Sequence, residues 1–457
     1  MKKKLLTLAV AAALAAPAIA SAEAIMYGKL NMSVDYFDIN NEVFDYATTD
    51  VIAEDPVTGE TFFLPNVIEV DADGNPIIVG KSGNNFKGWT LNRGPNGKGE
   101  FRANRLGVKG SEDLGNGLKA IYQIEFGVRM ANEADNFSSN GDADSAVTMR
   151  NSFVGLAGDW GTFLVGRHDT PLKISTGKLD LFADTMADYN GTVGFNDIRA
   201  DNAIAYISPS WVGLQFAGAV VPGGGHTVIG ERNLQSDSIA EGYSLALIYK
   251  NGPFYGSAAY EVLGNQLLMG EGTSLDGRCN SDINDLGFGY DLSCGYADDD
   301  YTKWRIGLGL LDWNGFTLTA IYEDQDQLPQ GQAYTTGFTI NPDGVLNAYQ
   351  APLGAKSQQL WQVQAGYSFG NMMIKGMYGS VSRDSDQVLS ATRDTVSLSN
   401  IRDDLQGDLS TWAVGFDYNF SKRTTAYMLY TEVNDDASDE VAGSDWSGFS
   451  LGMMHSF

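Results

Sequence analysis

Three arginines on short alternating segments are the groups in this chain best placed to act on something outside it. Arg105 shares a face with Gly107 and Lys109, opposite Leu106 and Val108. Arg150 shares a face with Ser152, opposite Phe153, and Arg199 with Ala203 and Ala205, opposite Ile204 and Tyr206. A guanidinium stays charged throughout the physiological range, so it serves as a fixed positive field rather than as an acid or base. Downstream, Leu179–Asp188 carries Asp180, Asp184 and Asp188, and a helical turn would bring Asp180 and Asp184 to one side. Nucleophilic chemistry has little to draw on. A Ser/His/acid site needs a histidine within reach, and only His168, His226 and His455 are present. His226 lies in a Gly-rich loop, His455 among the large residues of the last segment, and His168 beside Asp169 suits packing or hydrogen bonding. No catalysis, metal or cofactor is expected.

The elements that carry these arginines alternate with period two. The final twelve residues show it best: Phe449, Leu451, Met453 and Phe457 are large, and Gly448, Ser450, Gly452 and Ser456 are small. Met454 and His455 break the pattern. Leu118–Phe126, Trp361–Phe369 and Trp412–Phe420 repeat it, with aromatics at both ends of the apolar face and charged or amide side chains opposite. A charged face is costly in a dry core, so one face is expected to meet an apolar medium and the other water. Seven short turns (110–117, 158–161, 209–213, 251–253, 313–315, 370–371 and 421–423) alternate with eight long polar stretches (about 38–99, 131–146, 170–197, 222–241, 264–300, 325–357, 382–407 and 434–444). With the first and last strands pairing, that count requires a closed, all-β, 16-stranded antiparallel barrel with short turns at one end and long loops at the other. Asn66–Val79, centred on Asp73-Gly74-Asn75, is expected to form a small hairpin in the first loop.

Lys2, Lys3 and Lys4 precede an apolar run from Leu5 to Ala20 and a small-x-small site at Ala20-Ser21-Ala22, which reads as a secretory signal peptide over 1–22. Residues 23–457 then form one domain. No later stretch approaches the roughly 18 consecutive apolar residues of a spanning helix. Frequent glycine (54 residues), 11% aromatics and scarce proline suit a barrel better than a long soluble protein. A net charge of −27 argues against nucleic acid as a partner. Cys279 and Cys294, in one long loop of an exported chain, are expected to form a disulfide worth roughly 3 kcal/mol. The neighbouring Asp282, Asp285, Asp291 and Asp298–Asp300 lack EF-hand spacing.

Tyr27-Gly28-Lys29-Leu30, Arg105–Leu114, Arg150–Leu156, Gly166-Arg167, Arg199–Tyr206 and the terminal Phe457 together resemble the Gram-negative general diffusion porins. The resemblance extends over the whole mature chain and is densest between Arg102 and Pro209. It implies a trimeric outer-membrane barrel for passive diffusion of small hydrophilic solutes and ions, in contact with membrane lipid and lipopolysaccharide. It also implies a third long loop folded into the lumen, with Arg105, Arg150 and Arg199 as a basic ladder on the wall and Arg167 nearby, after the fifth strand. Counting without gaps from Arg167 puts Asp180 and Asp184 at the constriction acids, with Asp188 as a further acid of the same constriction loop, and Phe457 serves as the assembly signal. The Pro-Glu-Phe-Gly-Gly type of motif usual in the enteric loop is missing. A sugar-specific channel would line its lumen with aromatics, whereas here they mostly share the lipid face. A gated active transporter would carry a plug domain.

Overall fold

The computed structural model describes residues 23–457 except 41, 55–60, 73–76, 84, 93–103, 132–146, 224, 230–231, 237, 265–266, 268–298, 330–333, 341, 344–345, 353–354, 385–387, 392–395, 400–406 and 437–444. The expected signal segment, Cys279 with Cys294, and Asp282, Asp285, Asp291 and Asp298 lie outside the described residues.

Seventeen strands build one antiparallel sheet that closes on itself. In chain order they are β1 (Glu23–Asn40), β2 (Phe86–Leu91), β3 (Arg105–Gly115), β4 (Leu118–Val128), β5 (Val147–Gly158), β6 (Gly161–Asp169), β7 (Arg199–Ile207), β8 (Leu214–Val221) and β9 (Gly242–Asn251). There follow β10 (Phe254–Leu263), β11 (Tyr301–Trp313), β12 (Phe316–Asp326), β13 (Ser357–Phe369), β14 (Met372–Asp384), β15 (Gly407–Asn419), β16 (Thr424–Asp435) and β17 (Asp445–Ser456). β3 pairs with the Glu23–Lys29 half of β1 and β2 with the Val34–Ile39 half, so these two share one place and the barrel has sixteen. β17 completes the ring against β1, with Lys29 opposite Ser456 and Asn40 opposite Asp445. Gly28 and Phe457 exchange both backbone hydrogen bonds at 3.1 Å.

The turns follow from local chemistry. Asn314 and Gly315 both have positive φ (52° and 85°), as a two-residue hairpin turn between right-twisted strands requires. Alternation then sorts the faces. Leu245, Leu247, Trp304, Ile306, Leu308, Val363 and Leu451 are exposed on the outside, where lipid would cover them. Aromatic pairs ring both ends of this band. Trp304–Tyr322, Trp361–Tyr378 and Trp412–Tyr430 lie near the long loops, with ring centroids 5.1–5.5 Å apart. Tyr367–Phe369 and Tyr418–Phe420 lie near the short turns. These are the interfacial girdles that the sequence led us to expect.

The third long loop turns inward. It contains helix α1 (Pro171–Thr176), a run of turns, and the single-turn helix α2 (Tyr189–Thr192). Its apolar residues Leu172, Leu179, Phe182, Met186 and Phe195 are fully buried inside the barrel. The first loop corrects an expectation. Its segment Thr61–Glu69 pairs with Thr48–Glu54, and Ile78–Gly83 pairs with Glu42–Tyr46, instead of folding back on each other. Asp73-Gly74-Asn75, the centre of the expected hairpin, lies outside the described residues, and among those described the Ile77 N–Glu69 O bond (2.9 Å) spans the anticipated turn. Thr61–Glu69 also touches Tyr334–Ile340 of the sixth loop, which joins segments of loops one, six and seven into a six-stranded sheet.

Candidate functional site

Inside the barrel, a cavity of about 830 Å³ lies between the inward-folded loop and the β1–β7 wall. Arg105, Arg150 and Arg199 all line it, together with Lys29, Arg129 and Lys173. The carboxylates on its surface are Asp169, Asp184, Asp188 and Asp197. Cations therefore outnumber acids six to four among the described lining residues, although the chain as a whole is strongly acidic.

Arg150 and Arg199 are held by groups on neighbouring strands, and Arg105 faces the loop's Asp184. Arg105 stands inward beside Gly107, while Leu106 and Val108 are exposed on the outer face, as the alternation requires. Arg150 Nε donates to Glu125 at 2.6 Å, and Glu125 also accepts from the Tyr27 hydroxyl at 2.8 Å. Arg199 Nε donates to Asn151 at 2.6 Å, and its Nη2 lies 3.0 Å from Asp169, which also pairs with Lys173 at 3.0 Å. These contacts fix the Arg150 and Arg199 guanidinium planes against the wall, so their part of the field is pre-oriented rather than formed on demand.

Two details of strand parity differ from the sequence reading. The β4–β5 register shifts between Ile124 and Phe126, where Arg150 and Asn151 both stand opposite Glu125. This bulge carries one extra residue, so Arg150 faces inward while Ser152, opposite the exposed Ile124, faces outward and Phe153 packs inside against Leu164. Strict period two cannot register an inserted residue. The second difference is Arg167. It lies within β6 rather than after it, stands opposite Ser152, pairs with Asp201, and is not among the residues that line the cavity. His168 and Asp169 likewise close β6 instead of opening the loop.

The three loop acids take three different environments. Asp184 is the one that reaches the basic wall, 2.6 Å from Lys29 Nζ and 3.8 Å from Arg105 Nη1. The anticipated helical turn is absent: Asp184 has φ 61°, a left-handed conformation that Asp and Asn tolerate better than most residues. Its backbone carbonyl accepts from Asn31 Nδ2 at 2.6 Å. Asp180 is turned into the opposite wall, where it accepts from Phe182 N at 2.9 Å and Gln364 Nε2 at 3.0 Å. Burial pushes its carboxyl up to about 6. Asp188 accepts from the Asp184 and Asn190 amides at 2.8 and 2.9 Å and caps α2. Burial, with Asp180 nearby, holds its carboxyl well above the ordinary range.

Sequence reasoning did not assign the groups that anchor the loop's return leg. Arg305 on β11, wholly buried, donates to Glu323, to Asp197 and Thr176 Oγ1 at 2.7 Å each, and to the Phe195 carbonyl at 3.2 Å. Lys303 pairs with Glu261 at 2.8 Å and reaches the Asn196 carbonyl at 3.2 Å. Lys375 donates to the Leu181 carbonyl at 2.7 Å. Their signal was present as charges on the inner parity of late strands, but only the folded loop supplies their partners. Lys29 has the same parity as Asn31 and Ser33 and was legible in principle.

Comparison with known proteins agrees with this geometry. Residues 7–438 match the model of the Gram-negative porin family. Over 155 residues the chain is 36% identical to the major outer membrane protein P.IB of Neisseria meningitidis serogroup A, a match covering 33% of this chain and 40% of that protein. The chain thus spans about two fifths of the length of the first curated relatives it matches. The P.IB protein of Neisseria gonorrhoeae is 26% identical over 324 residues, covering 71% of this chain and 76% of that one. Among solved structures, the anion-selective porin from Comamonas acidovorans shares the fold with a TM-score of 0.53 at 16% identity, covering 96% of this chain and 100% of the other.

Proposed function

We propose that this chain, which belongs to the Gram-negative porin family, forms a water-filled channel for passive diffusion of small hydrophilic solutes and ions through the outer membrane. The observation that carries the reading is the lumenal cavity with its rows of opposed charge inside a barrel whose outer surface is apolar. Conduction of this kind needs a bore, a constriction and a field, and no nucleophile or metal, so the chain acts as a channel rather than as an enzyme. Arg105, Arg150 and Arg199, with Lys29, act as the positive side of that field and Asp184 as its negative side. The excess of cations favours anions over cations, as in the anion-selective porin from Comamonas acidovorans. Asp180 and Asp188 hold the loop in place. The protein works as a homotrimer among lipid and lipopolysaccharide. Reconstitution in a planar bilayer under a salt gradient tests the reading: stepwise ohmic conductance with an anion-directed reversal potential is expected, and silent bilayers with correctly folded protein would refute it.

A further inference from the structure

The inward loop rests on the wall where the wall has no side chain. A methyl group built on Gly307 would lie 2.6 Å from Leu179 and 2.9 Å from Thr176, and one on Gly309 would lie 2.9 Å from Leu179. On the following strands the same holds for Gly415 against Phe182 (3.0 Å), Gly448 against Met186 (2.6 Å) and Gly379 against Val193 (2.8 Å). All five glycines have the inward parity of β11, β14, β15 and β17, shared with Arg305, Lys375, Ala413 and Ser450. At four of the five the contact falls below 3.0 Å, closer than real methyl groups approach, at Gly415 it stands at 3.0 Å, and the neighbouring atoms belong to buried residues in a close-packed interior.

We propose that these wall glycines are positioning residues that set the bore: by leaving the inner wall bare along the loop's track, they let its apolar residues sink to backbone depth and keep its polar edge, with Asp184, out of the middle of the lumen. The inference rests on the channel reading for its consequence, but not for its geometry. Adding one methyl displaces the loop toward the ladder by up to about one carbon–carbon bond length, some 1.5 Å. The lumen then narrows without any change in its charge.

Two measurements test this and separate it from the channel reading. In bilayers, Gly415→Ala and Gly448→Ala are expected to lower single-channel conductance by about a third or more and to slow bulky neutral solutes further, while ion selectivity stays put. Gly376→Ala, on the outer face with its nearest atom at an ordinary 3.5 Å, is the control and should match wild type. Met186→Ala placed in Gly448→Ala should restore conductance, which mere loss of stability would not allow. Wild-type conductance and solute cut-off in both track variants, or an equal loss in the control, would overturn the proposal. Independently of conduction, a Gly379→Cys/Val193→Cys pair lies within disulfide reach, since the built methyl is one bond length further from Val193 Cβ than the 2.8 Å contact at most. Its cross-link, mapped by mass spectrometry in the folded barrel, is expected to form in air. Failure to form overturns the seat itself, and a cross-linked barrel whose parent never conducts overturns the channel reading alone.

Discussion

Replacing Asp184 with Asn removes one negative charge from the face opposite the ladder and little else. Asn tolerates the left-handed φ of 61° at this position. The carbonyl that accepts from Asn31 and the amide that donates to Asp188 are backbone groups and remain. The change leaves Lys29 and Arg105 uncompensated at a point where the nearest pairing was 2.6 Å. An ion passing about 4 Å from the lost carboxylate, in a water-filled bore, would have felt about 1 kcal/mol from it. That distance is well inside the ~10 Å Debye length at 0.1 M salt, so screening removes only part of the effect. Anions gain and cations lose by similar amounts, each roughly fivefold before screening, since about 1.4 kcal/mol is tenfold. The expected result is therefore a rise of at least about fivefold in the anion-to-cation permeability ratio, read from reversal potentials under a salt gradient. The rise should shrink at 1 M salt, where the Debye length falls to about 3 Å. An unchanged reversal potential at low salt, with wild-type conductance, would remove Asp184 from the conducting path.

The converse substitutions Arg105→Ser and Arg150→Ser should each shift selectivity toward cations and raise the flux of bulky solutes, measured by the same recordings and by liposome swelling; no shift in both would dissolve the ladder. Arg305→Met should destabilise the barrel by about 3–5 kcal/mol, because Glu323 and Asp197 would be left buried without their cation, and thermal unfolding in detergent measures it. A loss below about 1 kcal/mol would mean that the loop is held elsewhere. The Asp180 carboxyl, raised from 3.8 to about 6, binds its proton more tightly in the folded state than in the unfolded chain. Its contribution is therefore greatest below about pH 4, falls as pH rises to about 6, and is level above, by about 3 kcal/mol in all. Unfolding midpoints between pH 4 and 7 should decline accordingly, and Asp180→Asn should flatten part of the slope; an unaltered slope would exclude this residue.

The barrel was legible because its signal is a two-residue period repeated along most of the chain. Turns at 313–315 and 370–371 and the face assignments of Arg105, Trp361 and Trp412 needed nothing beyond that period. What the period could not carry were insertions and long-range partners. The extra residue opposite Glu125 reversed the parity expected around Ser152 and Phe153. Arg167 was placed near the ladder by the family resemblance, whereas it stands opposite Ser152, pairs with Asp201 and does not line the cavity. The inward loop has no periodicity of its own, so the separate fates of Asp180, Asp184 and Asp188 depended on Gln364, Lys29 and α2. Within the first loop Thr61–Glu69 pairs with Thr48–Glu54 and Ile78–Gly83 with Glu42–Tyr46, and the further contact of Thr61–Glu69 with Tyr334–Ile340 crosses between loops, where no local pattern could announce it.

The seam between β1 and β17 has a consequence for how the molecule comes into being. Its ladder joins Lys29 to Ser456, so the two rims that must meet are synthesised at opposite ends of the polypeptide. Contacts of such separation form late and slowly, because nearly the whole chain must be ordered before they are rewarded. Until then both rims offer unpaired amides and carbonyls, the condition under which strands stick to strangers. A molecule shortened by its final strand would thus keep two open borders, and its fate would be decided by whatever reaches them first.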